Sequence, residues 1–160
     1  MSATLNQAEI AARIPHAGAM CLLDSMLSAS STDIVCNAVS HRNPDNPLRS
    51  HGRLGAAVAV EYAAQAMALH GSIVNVDLDV PSKGGRLINV RELTLHCARF
   101  DDLQSPLTVR ATRLMGDVAN VIYSFEVSAD GSMIASGRAG VMLVANGGES
   151  AMKRTDRDAR

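Results

Sequence analysis

The stretch HGRLGAAVAVEYAAQAMALHG, residues 51 to 71, sets one carboxylate, Glu61, in the middle of an apolar run. An anion in an apolar wall is costly unless it is partnered. Burial favours the neutral carboxyl, and a carboxyl that keeps its proton near neutral pH can serve as a general acid. The ordinary alternative is that Glu61 caps a loop amide or pairs with Arg49 or Arg53. Gln65 follows one turn later and shares a face with Glu61 through the i, i+4 spacing.

Five His residues are spread along the chain. His41 ends an expected strand and His51 lies in an expected loop. Either can face Glu61 in space and act as a base. For each, the plainer reading is a solvated loop His or one bonded to a backbone carbonyl. His70 ends the apolar run, where it would meet the negative end of a helix dipole. His96 falls on a polar strand face, and His16, after Pro15, reads as a turn former. No pair has the spacing of a zinc-binding helix, so no metal is expected.

The start of the run is a third element. Gly55, Ala56 and Ala57 would present backbone N–H groups unobstructed by bulky side chains, a surface that polarises a carbonyl oxygen. A plain helix start has the same sequence. Gly84-Gly85 lacks the full pattern of a nucleotide loop, and no Ser sits in a GxSxG elbow.

These groups need a scaffold. Leu54 to His70 is Ala-rich, of high helix propensity, and Gly71 stands where a C-terminal cap belongs. Apolar residues occur on nearly all its sides, so the helix should be wrapped. Before it, residues 1–13 read as a short helix or arm, 14–30 as a short helix feeding a strand, and 32–41 as a strand. RNPDNPLRSHG, 42–52, is a loop by its Pro, Asn and Gly content. Beyond a loop at 75–85 the chain reads as strands. RLINVRELTLHCARF alternates Leu93, Leu95 and Cys97 against Glu92, Thr94 and His96. SPLTVRATRLMG alternates Leu107, Val109 and Ala111 against its Thr and Arg residues. Asp130-Gly131 joins two further strands as a hairpin. The reading is α+β: one domain over 1–145, an antiparallel sheet wrapped around one long apolar helix, with a disordered polar tail at 146–160. A second subunit that completes the cover would also remove an exposed sheet edge.

The totals agree with one soluble domain. The 160 residues are 47% hydrophobic, with net charge −1, which gives no support to nucleic-acid binding. Aromatics are 2% and Met numbers eight, so the core is aliphatic and adaptable. Three Cys in no CxxC pair read as reduced thiols. The N-terminus lacks a signal-peptide pattern, and the apolar run is too short and too interrupted to span a membrane. The cytoplasm is the expected location.

In order along the chain, IPHAGAMCLLDSML, VEYAAQAMALHG and RELTLHCARFDDLQSPLTVRATRLMGD resemble the β-hydroxyacyl-acyl carrier protein dehydratases. The first matches their Pro-His opening and Leu-Leu-Asp, the second their Glu-containing central helix, with Glu61 and Gln65 at its Glu and Gln. The closer likeness is to a dehydratase-like branch found with aryl-polyene and related fatty-acid or polyketide clusters. The resemblance spans roughly 12–145 and implies the hotdog fold. It also implies loss of water from a 3-hydroxyacyl thioester to give the trans-2-enoyl thioester. A His takes the α-proton, a helix acid protonates the leaving hydroxyl, and helix-start amides hold the carbonyl. His and acid come from opposite subunits of a dimer.

Carried onto this chain, Glu61 is the acid, Gly55 the first helix-start amide, with Ala56 and Gln65 beside the substrate, and His51 or His41 the base. The family's His-x-Pro loop falls on Asn46-Pro47, and Leu54-Gly55 replaces its Pro-Gly. No cofactor is implied beyond the phosphopantetheine of an acyl carrier protein, whose acidic surface Arg49, Arg53 and Arg86 could meet. The partner subunit is a second copy or a related hotdog chain. Two rivals remain: a non-catalytic acyl-binding subunit that pairs with an active homologue, and an acyl-thioester hydrolase.

Overall fold

The computed structural model describes residues 3–75, 85–117 and 119–143. The chain opens with strand β1 (Leu5–Asn6) and helix α1 (Gln7–Ala11). A reciprocal capping box starts the helix. Asn6 Oδ1 accepts from the Glu9 N–H and Glu9 Oε2 accepts from the Asn6 N–H. The expected N-terminal helix is therefore present but short, ending before Pro15. A single 3-10 turn, Gly18–Met20, stands where a short helix was expected. Strands β2 (Ser25–Ala29) and β3 (Asp33–Ala38) follow, then a 3-10 turn at Ser40–Arg42 and the loop expected there.

Helix α2 (Ala59–Val74) is entered through a 3-10 turn at Ala56–Val58. It runs past Gly71 instead of ending on it. His70 and Gly71 are buried, and Ile73 packs on the core, so tertiary contact overrides the local cap signal. His70 is thus an interior residue, not a helix-end charge.

Strands β4 (Gly85–Leu95), β5 (Leu107–Gly116), β6 (Asn120–Ala129) and β7 (Ser132–Leu143) complete one seven-stranded sheet in the order β1-β2-β3-β5-β6-β7-β4. Every pairing is antiparallel. The hairpin at Asp130-Gly131 forms as expected, with φ of 51° and 74° in a two-residue turn between Ala129 and Ser132. The sheet curls around α2, which packs across β3, β5, β6 and β4. Alternate residues such as Ile34, Cys36, Val109, Phe125 and Val127 meet Tyr62, Ala63, Ala66 and Leu69 of the helix in one buried core. Burial pushes the Cys36 thiol up to about 12, so it is inert there.

Strand β4 departs from its expected alternation. Irregularities between Leu87 and Asn89 and between Arg91 and Thr94 shift its register, and Glu92 has φ of 53°. The strand ends at Leu95, before Cys97. Among the described residues it pairs only with β7, and Leu87, Ile88, Leu93 and Leu95 stay 39–56% exposed. No helix of the described residues is long and apolar enough to cross a membrane. The expected polar tail at 146–160 lies outside the described residues.

Candidate active site

Glu61 sits in the first turn of α2, where the positive end of the helix dipole favours an anion. Its side chain is 34% exposed, so it stands at the rim of the apolar wall and not sealed within it. Its partner is His16, whose Nε2 lies 3.0 Å from Glu61 Oε1. Neither Arg49 nor Arg53 reaches it among the described contacts.

The strap that carries His16 is fixed from both sides. Ile14 before it and Cys21, Leu22 and Leu23 after it are buried. Gln65 clamps the strap to the helix: its Oε1 accepts from the Leu22 N–H at 2.9 Å, and its Nε2 donates to the Met20 carbonyl at 2.7 Å. The same Nε2 donates to Glu61 Oε1 at 3.2 Å. Gln65 is fully buried. It holds the strap and the carboxylate, and its amide has no free side for a substrate. Gly18, with φ of 59°, turns the strap back toward the core.

The 40–54 loop is also pinned to α2. Tyr62 OH lies 2.8 Å from Ser40 Oγ, which donates to the Leu22 carbonyl. Asn46 is 5% exposed; its Nδ2 donates to the Ser40 carbonyl, and its Oδ1 accepts from the Leu48 N–H. Asp24 accepts from the Val39 N–H at 2.6 Å, which makes the Leu-Leu-Asp aspartate a structural tie.

His41 is wholly buried, and its Nε2 donates to the Leu103 carbonyl at 3.1 Å. Burial pushes its pKa down. His51 is exposed on the loop with φ of 52°. Within this chain neither is bonded to Glu61. His70 is buried between the Ser30 carbonyl and Tyr123 OH, and burial lowers its pKa and raises that of Tyr123 to about 12. His96 is exposed, as expected.

At the helix start the three amides differ. The Ala56 N–H donates to the Ala98 carbonyl at 3.0 Å, so it is not available to a substrate. Among the described residues the Gly55 and Ala57 N–H groups have no acceptor, and both residues are exposed. A Cβ on Gly55 would meet nothing within 4 Å, so the approach is open. Asp101 anchors this corner by accepting from the Leu54 N–H and from Arg99. The Arg99 guanidinium holds its carboxyl well below the usual range. Arg49 turns inward to the His41 and Gly52 carbonyls, while Arg53 and Arg86 are exposed.

One carboxylate, one imidazole bonded to it and two exposed amides without an acceptor among the described residues thus lie at the same end of a wrapped helix. Over residues 8–151 the chain matches the family model described as ApeP-like, ApeP dehydratase. The chain belongs to the ApeP-like dehydratase family. This agrees with the resemblance to the aryl-polyene branch.

Among solved structures it is similar to a chain of the dehydratase heterocomplex ApeI:P from Xenorhabdus doucetiae, with TM-score 0.76 and 22% identity over 84% of this chain and 90% of that one. It is also similar to zebra fish thioesterase superfamily member 2, with TM-score 0.59 and 16% identity over 88% and 99%. AziG of S. sahachiroi gives TM-score 0.55 and 15% identity over 75% and 90%. At these identities the likeness establishes the hotdog fold alone. No curated protein matches the chain by sequence.

Sequence reasoning gave His16 only a turn-forming role. The pairing with Glu61 joins two distant segments, and it depends on Gln65 bonding the strap. Neither has a periodic signal.

Proposed function

We propose that this ApeP-like dehydratase removes water from a 3-hydroxyacyl thioester, carried on an acyl carrier protein, to give the trans-2-enoyl thioester. The observation that carries the reading is the Glu61 carboxylate held by His16 at 3.0 Å, at the open end of the helix. Glu61 is the group that moves the proton. The Gly55 N–H, without an acceptor among the described residues and open to approach, is the donor for the thioester oxygen, and a fixed dipole there stabilises the enolate-like charge of the transition state. The exposed Arg53 and Arg86 are the basic groups offered to an acidic carrier; Arg49 is already bonded internally.

A second hotdog subunit, identical or related, covers the exposed apolar side of β4. The length of that unpaired edge and its Leu and Ile side chains support this. Pairing in the ApeI:P heterocomplex is a precedent within the family's fold.

The test is an assay of the purified chain on 3-hydroxyacyl-carrier substrates of short and long chain, with Glu61→Gln alongside. Enoyl product from the wild type and its loss in the variant establish the reaction. Free carrier thiol would instead mean hydrolysis.

One observation favours a second reading, a subunit silent on its own. The loop position that carries the base in related dehydratases holds Asn46 and Pro47, and Asn46 is locked into the loop. Product formed only after a related hotdog subunit is added would establish that reading.

A further inference from the structure

The bonding around Glu61 fixes where the proton of the pair resides, and this deepens the dehydration reading, on which it rests. Gln65 cannot be turned over. Its Oε1 faces the Leu22 N–H and its Nε2 faces the Met20 carbonyl, so the group pointing at Glu61 Oε1 is an N–H donor. Glu61 Oε1 is therefore an acceptor. The second ring nitrogen of His16, Nδ1, is buried with no hydrogen-bond partner among the described residues. An N–H there would be sealed from water with nothing to accept it, whereas a bare lone pair costs less. Both observations select the same tautomer, with the N–H on Nε2. Oε1 then accepts two hydrogen bonds, from His16 and Gln65, and among the described residues no group is bonded to Oε2.

We propose that Glu61 acts alone as the proton shuttle through Oε2, and that His16 is a positioning residue that donates to Oε1 and does not take the substrate proton. The C2–H bond breaks toward Oε2, and its electron pair becomes the C2=C3 π bond as the C3–O bond breaks. The proton on Oε2 then passes to the departing hydroxide, which leaves as water. The carboxylate is regenerated and no co-reactant is consumed. The buried Nδ1 lone pair takes no part.

The test compares His16→Gln with His16→Ala and Glu61→Gln in the dehydration assay, and reads the His16 tautomer by 15N NMR of the imidazoles, assigned by the signals lost in His16→Gln. A Gln amide can place an N–H where Nε2 stands but cannot act as a base at neutral pH. The expected result is that His16→Gln keeps kcat within about tenfold of wild type, while His16→Ala and Glu61→Gln lose about a hundredfold or more. The wild-type spectrum should show the proton on Nε2. If His16→Gln is as inactive as His16→Ala in an active, folded protein, His16 is the base and the proposal fails. A proton on Nδ1 overturns it as well. A wild type that makes no enoyl product, alone or with a related subunit, sinks the dehydration reading, and the shuttle with it. The NMR result then still decides the tautomer independently.

Discussion

Gln65 and Leu22 are joined by a buried hydrogen bond, Oε1 to backbone N–H at 2.9 Å, that ties the His16 strap to the central helix. The other end of the same amide bonds the Met20 carbonyl. Replacement by Leu keeps the volume but leaves a buried N–H and C=O without partners, each worth about 1–3 kcal/mol. Gln65→Leu should therefore unfold at lower urea concentration, with stability down by about 2–4 kcal/mol. Activity should fall further than stability explains, because Glu61 Oε1 loses a donor and the strap is released. A variant as stable as wild type would show that the clamp does not hold the strap.

The fold was largely legible because its main signals are local. An Ala-rich apolar run announced the helix, period-2 alternation announced β5, and Asp130-Gly131 announced the hairpin. The failures are equally physical. Gly71 carries a cap signal that the burial of His70 and the packing of Ile73 override. The register shifts in β4 break an alternation that looked regular. Of the candidate site, Glu61 and the Gly55 amide are the two groups the sequence already singles out. No local signal marks His16 as the partner of Glu61, since that bond depends on a strap whose position is set by Gln65. Ala56 reads as a free donor in the sequence, but its N–H is taken by the Ala98 carbonyl.

His70 and His41 make stability depend on pH. Both are buried, and burial holds both pKa values below the ordinary value of about 6.5. The unfolded chain therefore binds more protons than the folded one as pH falls. Stability is fully present above about pH 6.5 and declines below it, until the folded-state values are reached. The carboxylates with lowered values, Asp33, Asp101 and Asp117, act in a more acid window. Urea melts between about pH 7.5 and 5 should show a slope of up to about 1.4 kcal/mol per pH unit for each His. His70→Asn should flatten that slope as well as lower stability. An unchanged slope would remove His70 from this role.

Gly137 is required by Phe125. A Cβ at that position would stand 2.8 Å from Phe125 Cζ and 3.3 Å from the Arg91 carbonyl. The ring is buried in the sheet core and paired directly across β6 and β7. Gly137→Ala should destabilise by about 1–3 kcal/mol through overpacking. Gly137→Ala combined with Phe125→Leu should lose less than the sum of the two single variants. Simple additivity in a double-mutant cycle would show that the two residues do not share the space.

The free side of β4 predicts assembly. Leu95 pairs with Ala135 across β7, yet remains 39% exposed because no other element among the described residues covers it. Leu87 opposes Val141 in the same way and is 40% exposed. Charges on these side chains would be solvated in a lone chain and buried without partners under a second subunit, so the cost falls on association. Leu95→Lys and Leu87→Lys should weaken self-association, or pairing with a related hotdog subunit, by at least tenfold, while the isolated chain keeps its far-ultraviolet circular dichroism. Analytical ultracentrifugation, alone and in mixtures, reads this directly. Unchanged association in both variants would place the interface on another face of the sheet. Loss of pairing together with enoyl product would show that the Glu61 site depends on the covered β4 edge, although Glu61 and His16 lie in one chain.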